Sequence, residues 1–319
     1  MKKSIKILLI LAAGLLLLGG VLFAIGFGVN GFQWSKIGNT KLEMQYFTEQ
    51  EGGALSEVTI DYENADVDIM FDASAERVTI EYPQLQLNNG KNVSKITVEE
   101  TAEKITIREK AGAWIFGLWD FTSPKVKVIL PAERTYALTV KTDNGDVKVT
   151  GDGKVKTVTL ETDNGDVHAK TATIACEGNL IMTADNGEIY LFKDFDTDSL
   201  YVETDNGDIY CYGGTARGKI EIESENGDIE MSSGVLKGTD IVMETENGDI
   251  ELSLLEGERI SLTSDVGDIE TTIAGKQVDY TVKISIDVGK SNIGNSVGGA
   301  KTLMVENDVG DIDIYFTEN

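Results

Sequence analysis

The sequence predicts an all-β chain: a β-solenoid (β-helix-like) of about 20-residue coils, preceded by one transmembrane helix. Three observations predict it. A motif, TDNGDV at 142, returns as TDNGDV at 162, ADNGEI at 184, TDNGDI at 204, SENGDI at 224 and TENGDI at 245, then as SDVGDI, IDVGKS and NDVGDI. Apolar residues alternate at period two on both sides of each motif, with no helical period in residues 136–319. And residues 7–29 form an unbroken apolar run behind three lysines.

Taken in chain order, residues 1–6 (MKKSIK) carry three lysines and no acid, which places this end in the cytoplasm. Residues 7–29 are long enough to cross a bilayer as a helix, so the expected location is the cell membrane, single-pass, with the rest of the chain outside. A cleaved signal peptide is the alternative, with Ala24 and Gly26 as a small-x-small site, although the run exceeds a usual signal core. No cysteine follows that would make a lipoprotein anchor. Residues 30–54 read as a juxtamembrane linker.

Residues 55–135 read as an irregular β region. SEVTIDYENADVDI at 56–69 looks like a degenerate repeat with Ala65 in the glycine position, about four periods before Gly145. The strands VTIEY, ITVEE, ITIRE and VKVILP follow, with Asn88, Asn89 and Gly90 marking a loop. In GAWIFGLWDFTSP at 112–124, Trp114, Phe116, Trp119 and Phe121 crowd into an otherwise aromatic-poor chain. They are candidates either to cover an end of the sheet or to form a contact patch.

Residues 136–319 are the regular solenoid. The motif glycines Gly145, Gly165, Gly187, Gly207, Gly227, Gly248, Gly267, Gly289 and Gly310 recur every 19 to 22 residues, the period of a stacked repeat. Around them Leu138, Val140, Val147 and Val149, or Ile220, Ile222, Ile229 and Met231, mark an apolar inner face. Asn-Gly between alternating strands also signals a type I′ hairpin, and a hairpin-repeat sheet or barrel is the competing fold. Val266, Val288 and Val309 stand where earlier repeats have Asn, however, and a β-branched residue resists the positive φ that type I′ requires. A type II turn, or a type I turn closed by a left-handed glycine, is therefore expected. Stacked coils would align Asn144, Asn164, Asn186, Asn206, Asn226 and Asn247 in an amide ladder.

Composition bounds the chemistry. The formal charge is −26, and the stretch beyond the apolar run, without the three N-terminal lysines, carries −29. Such a surface disfavours nucleic acid and anionic polymers; any partner drawn by charge is cationic, and plain solubility is the simpler account. Rows of Asp143 and Asp146, Asp163 and Asp166, Asp205 and Asp208 are turn formers first and weak calcium candidates second; no other cofactor is expected. His168, the one histidine, falls on an outward position of a strand. Cys211 alternates with apolar Ile209, and a disulfide to Cys176 is not indicated. No nucleophile elbow or phosphate loop appears.

The chain resembles the bacterial "putative adhesin" family of β-strand-repeat domains of unknown function. ENADVDI, VKVILPAERTYALTVKTDNGDVKV and the recurring NGDI carry the resemblance, over roughly residues 55–319. It implies a β-helix-like fold and an extracytoplasmic, non-enzymatic role, and brings no catalytic residues. Two functions follow as expectations. One is a membrane-anchored module that binds an envelope component or a cationic peptide, for adhesion or stress sensing. The other is a polysaccharide-active enzyme on a β-helix scaffold, which would need long loop insertions on one side of the coils.

Overall fold

The computed structural model describes residues 19, 40–50, 53–87, 90–110 and 124–318. The expected transmembrane segment at 7–29, save Gly19, and the aromatic residues Trp114, Phe116, Trp119 and Phe121 lie outside them. Among the described residues no helix is long and apolar enough to cross a membrane.

The chain divides into two units. The smaller comprises Met1–Glu43, Gln84–Lys95 and Ala111–Ser123. Within it a tight hairpin closes through Leu87 N–H to the Lys91 carbonyl at 2.7 Å and Val93 N–H to the Leu85 carbonyl at 2.9 Å. The Gln86 amide donates to Glu43.

The larger unit, Met44–Pro83, Ile96–Lys110 and Pro124–Asn319, is a stack of β-coils. In each regular coil a long strand runs to the Asn-Gly corner, a short strand leaves it, and in several coils a third short strand follows. Equivalent strands pair in parallel. Thr135–Asn144 pairs with Gly153–Asn164, then come Asn179–Asn186, Ser199–Asn206, Lys219–Asn226, Asp240–Asn247 and Arg259–Val266. The parallel ladder excludes the hairpin alternative, whose two-residue turns join antiparallel neighbours.

The interior follows from the period-two pattern. Leu138, Val140, Val147, Val149, Ile220, Ile222, Ile229 and Met231 are all buried, as are Leu191, Phe192 and Phe195 between corners. Burying such side chains contributes roughly 1.5–3 kcal/mol each. A single coil cannot do this alone, so stability is shared between neighbours.

Coil order departs from chain order at both ends. Ala65 does occupy the glycine position, but its coil is not four periods away. Glu57–Tyr62 pairs directly with Thr135–Asn144, and Asp66–Asp72 with Val147–Thr150. On its other side the Ala65 coil pairs with Lys104–Lys110 and Lys125–Pro131, which come later in sequence. At the other end Lys301–Val309 inserts between Arg259–Val266 and Tyr280–Val288. At one end the outermost long strand, Tyr280–Val288, has its chain successor inside it; at the other, Lys104–Lys110 lies outside a strand from much earlier in the chain, Glu57–Tyr62.

Candidate binding surface

The Asn-Gly corner is the feature that repeats on the surface, and its geometry is built from four rows. The first is the glycine itself. Each motif glycine N–H donates to the carbonyl of the residue before the next coil's glycine, at 2.9–3.1 Å for Gly145, Gly165, Gly187, Gly207, Gly227 and Gly248. The corner therefore stays in the ladder. φ is 158° at Gly145 and 149° at Gly267, while at Gly187, Gly227 and Gly248 it lies outside 20° to 160°. The expected positive φ is thus present at six of the nine glycines, Gly145, Gly165, Gly207, Gly267, Gly289 and Gly310, at 149° to 158°, well beyond the φ of about 60–80° of the turns the sequence predicts. What all nine glycines share is close approach: a Cβ would meet the backbone carbonyl of the coil below, nearer than 3.0 Å.

The second row lies inside. Thr142, Thr162, Thr204, Ser224, Thr245 and Ser264 are buried, and each hydroxyl donates to the carbonyl of the previous coil's glycine, or of Ala65 for Thr142, at 2.9–3.2 Å. Asn307 makes the same bond to Gly267 with its amide, at 2.7 Å. Sequence reasoning missed this row, although the parity Leu138, Val140, Thr142 points inward. Ala184 is the one small apolar residue in the series.

The third row is the expected amide ladder. The Asn164 amide donates to Asn144 Oδ1 at 3.3 Å, and the bond repeats through Asn186, Asn206, Asn226 and Asn247 at 3.1–3.3 Å. Asn64 extends it by one coil, accepting from Asn144 at 3.2 Å. In register with Asn247 the column then continues as Val266, Val309 and Val288, which are 50%, 47% and 63% exposed.

The fourth row is acidic. The aspartate after the glycine accepts the backbone N–H of its counterpart one coil on: Asp146 from Asp166 at 3.0 Å, Asp166 from Glu188 at 2.9 Å, Asp208 from Asp228 at 2.9 Å. The carboxylates before the asparagines have no such bond and feel one another. Burial, then Asp163 and Glu63, push Asp143 above its ordinary pKa; burial, then Asp163 and Asp205, do the same for Asp185. Asp205 continues this column. Among the described residues no group of three or more His, Cys, Asp or Glu converges as metal ligands.

Away from the corner, His168 meets Tyr190 tilted, ring centres 4.9 Å apart, and Tyr190 stacks on Tyr210 at 4.7 Å, all half-buried on the outer face of the short strands. Cys176 and Cys211 are free and buried; burial pushes the Cys211 thiol up to about 12. A buried ion pair was invisible in sequence because its partners lie 85 residues apart. Arg134 donates to Glu49 through Nη1 at 2.7 Å and Nη2 at 2.9 Å, and the N–H groups of Leu55 and Val78 complete the carboxylate at 2.9 and 3.1 Å. Burial alone would raise the Glu49 carboxyl; these four bonds outweigh it and hold it below its ordinary value.

Parallel coils with a glycine corner define a β-repeat protein whose surface is written in rows. The chain belongs to the Toastrack DUF4097 family, which matches residues 55–224 and again 213–319. A solved putative adhesin from Parabacteroides merdae shares the fold at 14% identity and a TM-score of 0.52, over 86% of this chain and 97% of that one. A putative adhesin from Bacteroides fragilis aligns at 15% identity and a TM-score of 0.44, over 86% and 97%. A putative lipid binding protein from Parabacteroides distasonis aligns at 11% identity and 0.32, over 87% and 98%. No curated protein shows significant similarity to the chain.

Proposed function

We propose that the protein is a membrane-anchored, extracytoplasmic binding module of the adhesin type, with no catalytic role. The observation that carries this reading is how the corner uses its chemistry. Hydroxyls, amides and half of the corner carboxylates bond a neighbouring coil, leaving a repeated outer face that suits contact with an extended partner. The N-terminal lysines and the apolar run at 7–29 support anchoring with residues 36–319 outside.

Fractionation and protease access test it. On cells stripped of wall, external protease should degrade residues 36–319, and the full chain should sediment with membranes. A soluble mature chain starting near Phe27 would show instead that the segment is a cleaved signal. Protection of the whole chain until lysis would overturn the extracytoplasmic placement. Pull-down from envelope extracts with the full chain in detergent should recover a specific envelope component; a passive spacer would recover none.

A further inference from the structure

Exposed apolar residues concentrate in the last coils. Of the eleven large hydrophobics exposed among the described residues, seven fall between 266 and 315: Val266, Val278, Val288, Val297, Met304, Val309 and Tyr315. Three of these, Val266, Val309 and Val288, stack in register at the corner where seven other coils carry asparagine, Asn64 included. The exchange of Asn for Val ends the amide ladder, whose last bond joins Asn247 to Asn226 at 3.1 Å. It brings no compensating burial, since about half of each valine faces solvent.

The flanks of this column are acidic. Asp265, Asp308 and Asp287 immediately precede the three valines and are exposed. On the other side stand Asp268, Asp311 and Lys290, where the two aspartates each accept a backbone N–H from the next coil, both at 2.7–2.8 Å. Five carboxylates thus surround the stripe against one lysine. The adjoining strand Tyr280–Val288 ends its row. It pairs on one side with Lys301–Val309, while on the other it is bonded to the 291–300 loop at Val282 and Ile284.

We propose that the Val266–Val309–Val288 corner, with Asp265, Asp308 and Asp287 beside it, docks a cationic segment of a partner that alternates aliphatic and basic residues. The aliphatic side chains would cover the valines and the basic groups would meet the aspartates, whose mutual repulsion falls on binding. A second copy of this chain fits poorly, because it would bring the same carboxylates face to face. The proposal rests on the reading of the protein as a binding module and names the surface and partner chemistry.

The test uses the full chain in nanodiscs of neutral lipid and three synthetic peptides: alternating lysine and valine, alternating lysine and serine, and alternating glutamate and valine. The lysine–valine peptide should bind, and the other two should bind at least about tenfold more weakly, a difference of about 1.4 kcal/mol. The variant V266N/V288N/V309N should lose about tenfold in affinity, and D265N/D287N/D308N should lose as much together with the salt dependence. Asparagine is what the upstream coils carry, so the first variant should keep its circular dichroism and melting temperature. D143N/D163N/D205N, on the same corner upstream, should bind as wild type. Unchanged binding by either docking variant would overturn the proposal, as would equal binding of the lysine–serine peptide. Self-association of the wild type that the valine variant abolishes would overturn it in favour of a second copy. The assay contains no cell envelope, so its failure leaves the topology experiment standing, and mislocalisation in cells leaves the peptide result standing.

Discussion

At the scale of single residues, the glycine and the asparagine of the motif have unequal duties. A Cβ at position 227 would be driven into the Gly207 carbonyl, a backbone atom that can move only if the coil shifts. Gly227→Ala should therefore cost about 1–3 kcal/mol or more in urea unfolding. Asn226→Val removes exposed amide bonds and should cost less than about 1 kcal/mol, since Val266 already fills that slot. Equal losses would show that the corner depends on the amide ladder rather than on close stacking. The buried hydroxyl row makes the opposite prediction at Ala184, where the Gly165 carbonyl lacks the bond its counterparts receive. Ala184→Thr should raise stability by roughly 0.5–1.5 kcal/mol; a fall would mean that the interior there has no room for the larger side chain. The asparagines were legible in the sequence because amides that repeat at one period stack wherever coils stack. The hydroxyls were readable only by counting parity through Leu138 and Val140, because threonine suits either face of a strand.

At the scale of the strand rows, like charges align. Burial, then Glu221 and Glu203, push Glu223 up, and burial, then Asp208 and Asp228, push Glu230 up, as Asp143 and Asp185 are pushed up at the corner. A carboxyl whose pKa is raised on folding binds more protons in the native state. Its stabilising contribution is complete below the ordinary values of 3.8 and 4.5 and is lost as pH rises through the folded ones. Glu49 works in reverse. Held below 4.5, it contributes stability above that value and loses it as pH falls through the folded one. The melting temperature should thus increase as pH falls from 7 toward the ordinary carboxyl values, and decrease at more acid pH as Glu49 is protonated. Raising sodium chloride toward about 1 M at pH 7 should reproduce the increase by screening the rows. A melting temperature that falls steadily from pH 7 would show that paired carboxylates outweigh the rows. Glu49→Gln should cost about 1–3 kcal/mol by removing the charge that faces Arg134, which keeps its bond to the Leu55 carbonyl.

At the scale of the whole chain, the period, the inner face and the parallel stacking could be read from residues near one another in sequence. Coil order could not. The last coils present the same apolar parity and the same corner glycine, so nothing local states that Lys301–Val309 precedes Tyr280–Val288 in space. The exchange makes a topological prediction. Deleting 301–319 should strip amide protection from 280–288 as well, because that strand's neighbour is gone, and should expose the outer side of Arg259–Val266. Deleting 277–319 removes the pair together and should give the better-behaved chain by hydrogen exchange and solubility. If 280–288 stays protected in the shorter deletion, it can dock on Arg259–Val266 directly.

The same exchange sets a clock on manufacture. A chain threading outward from its N-terminus can add coils one upon another from Gly145 to Gly267 as they emerge. The strand that must sit beneath the outermost one follows it in the chain, so this part of the stack closes only after Lys301–Val309 has emerged. A chain that stops before residue 301 leaves the edge of Arg259–Val266 unpaired, where proteases that clear incomplete products can find it.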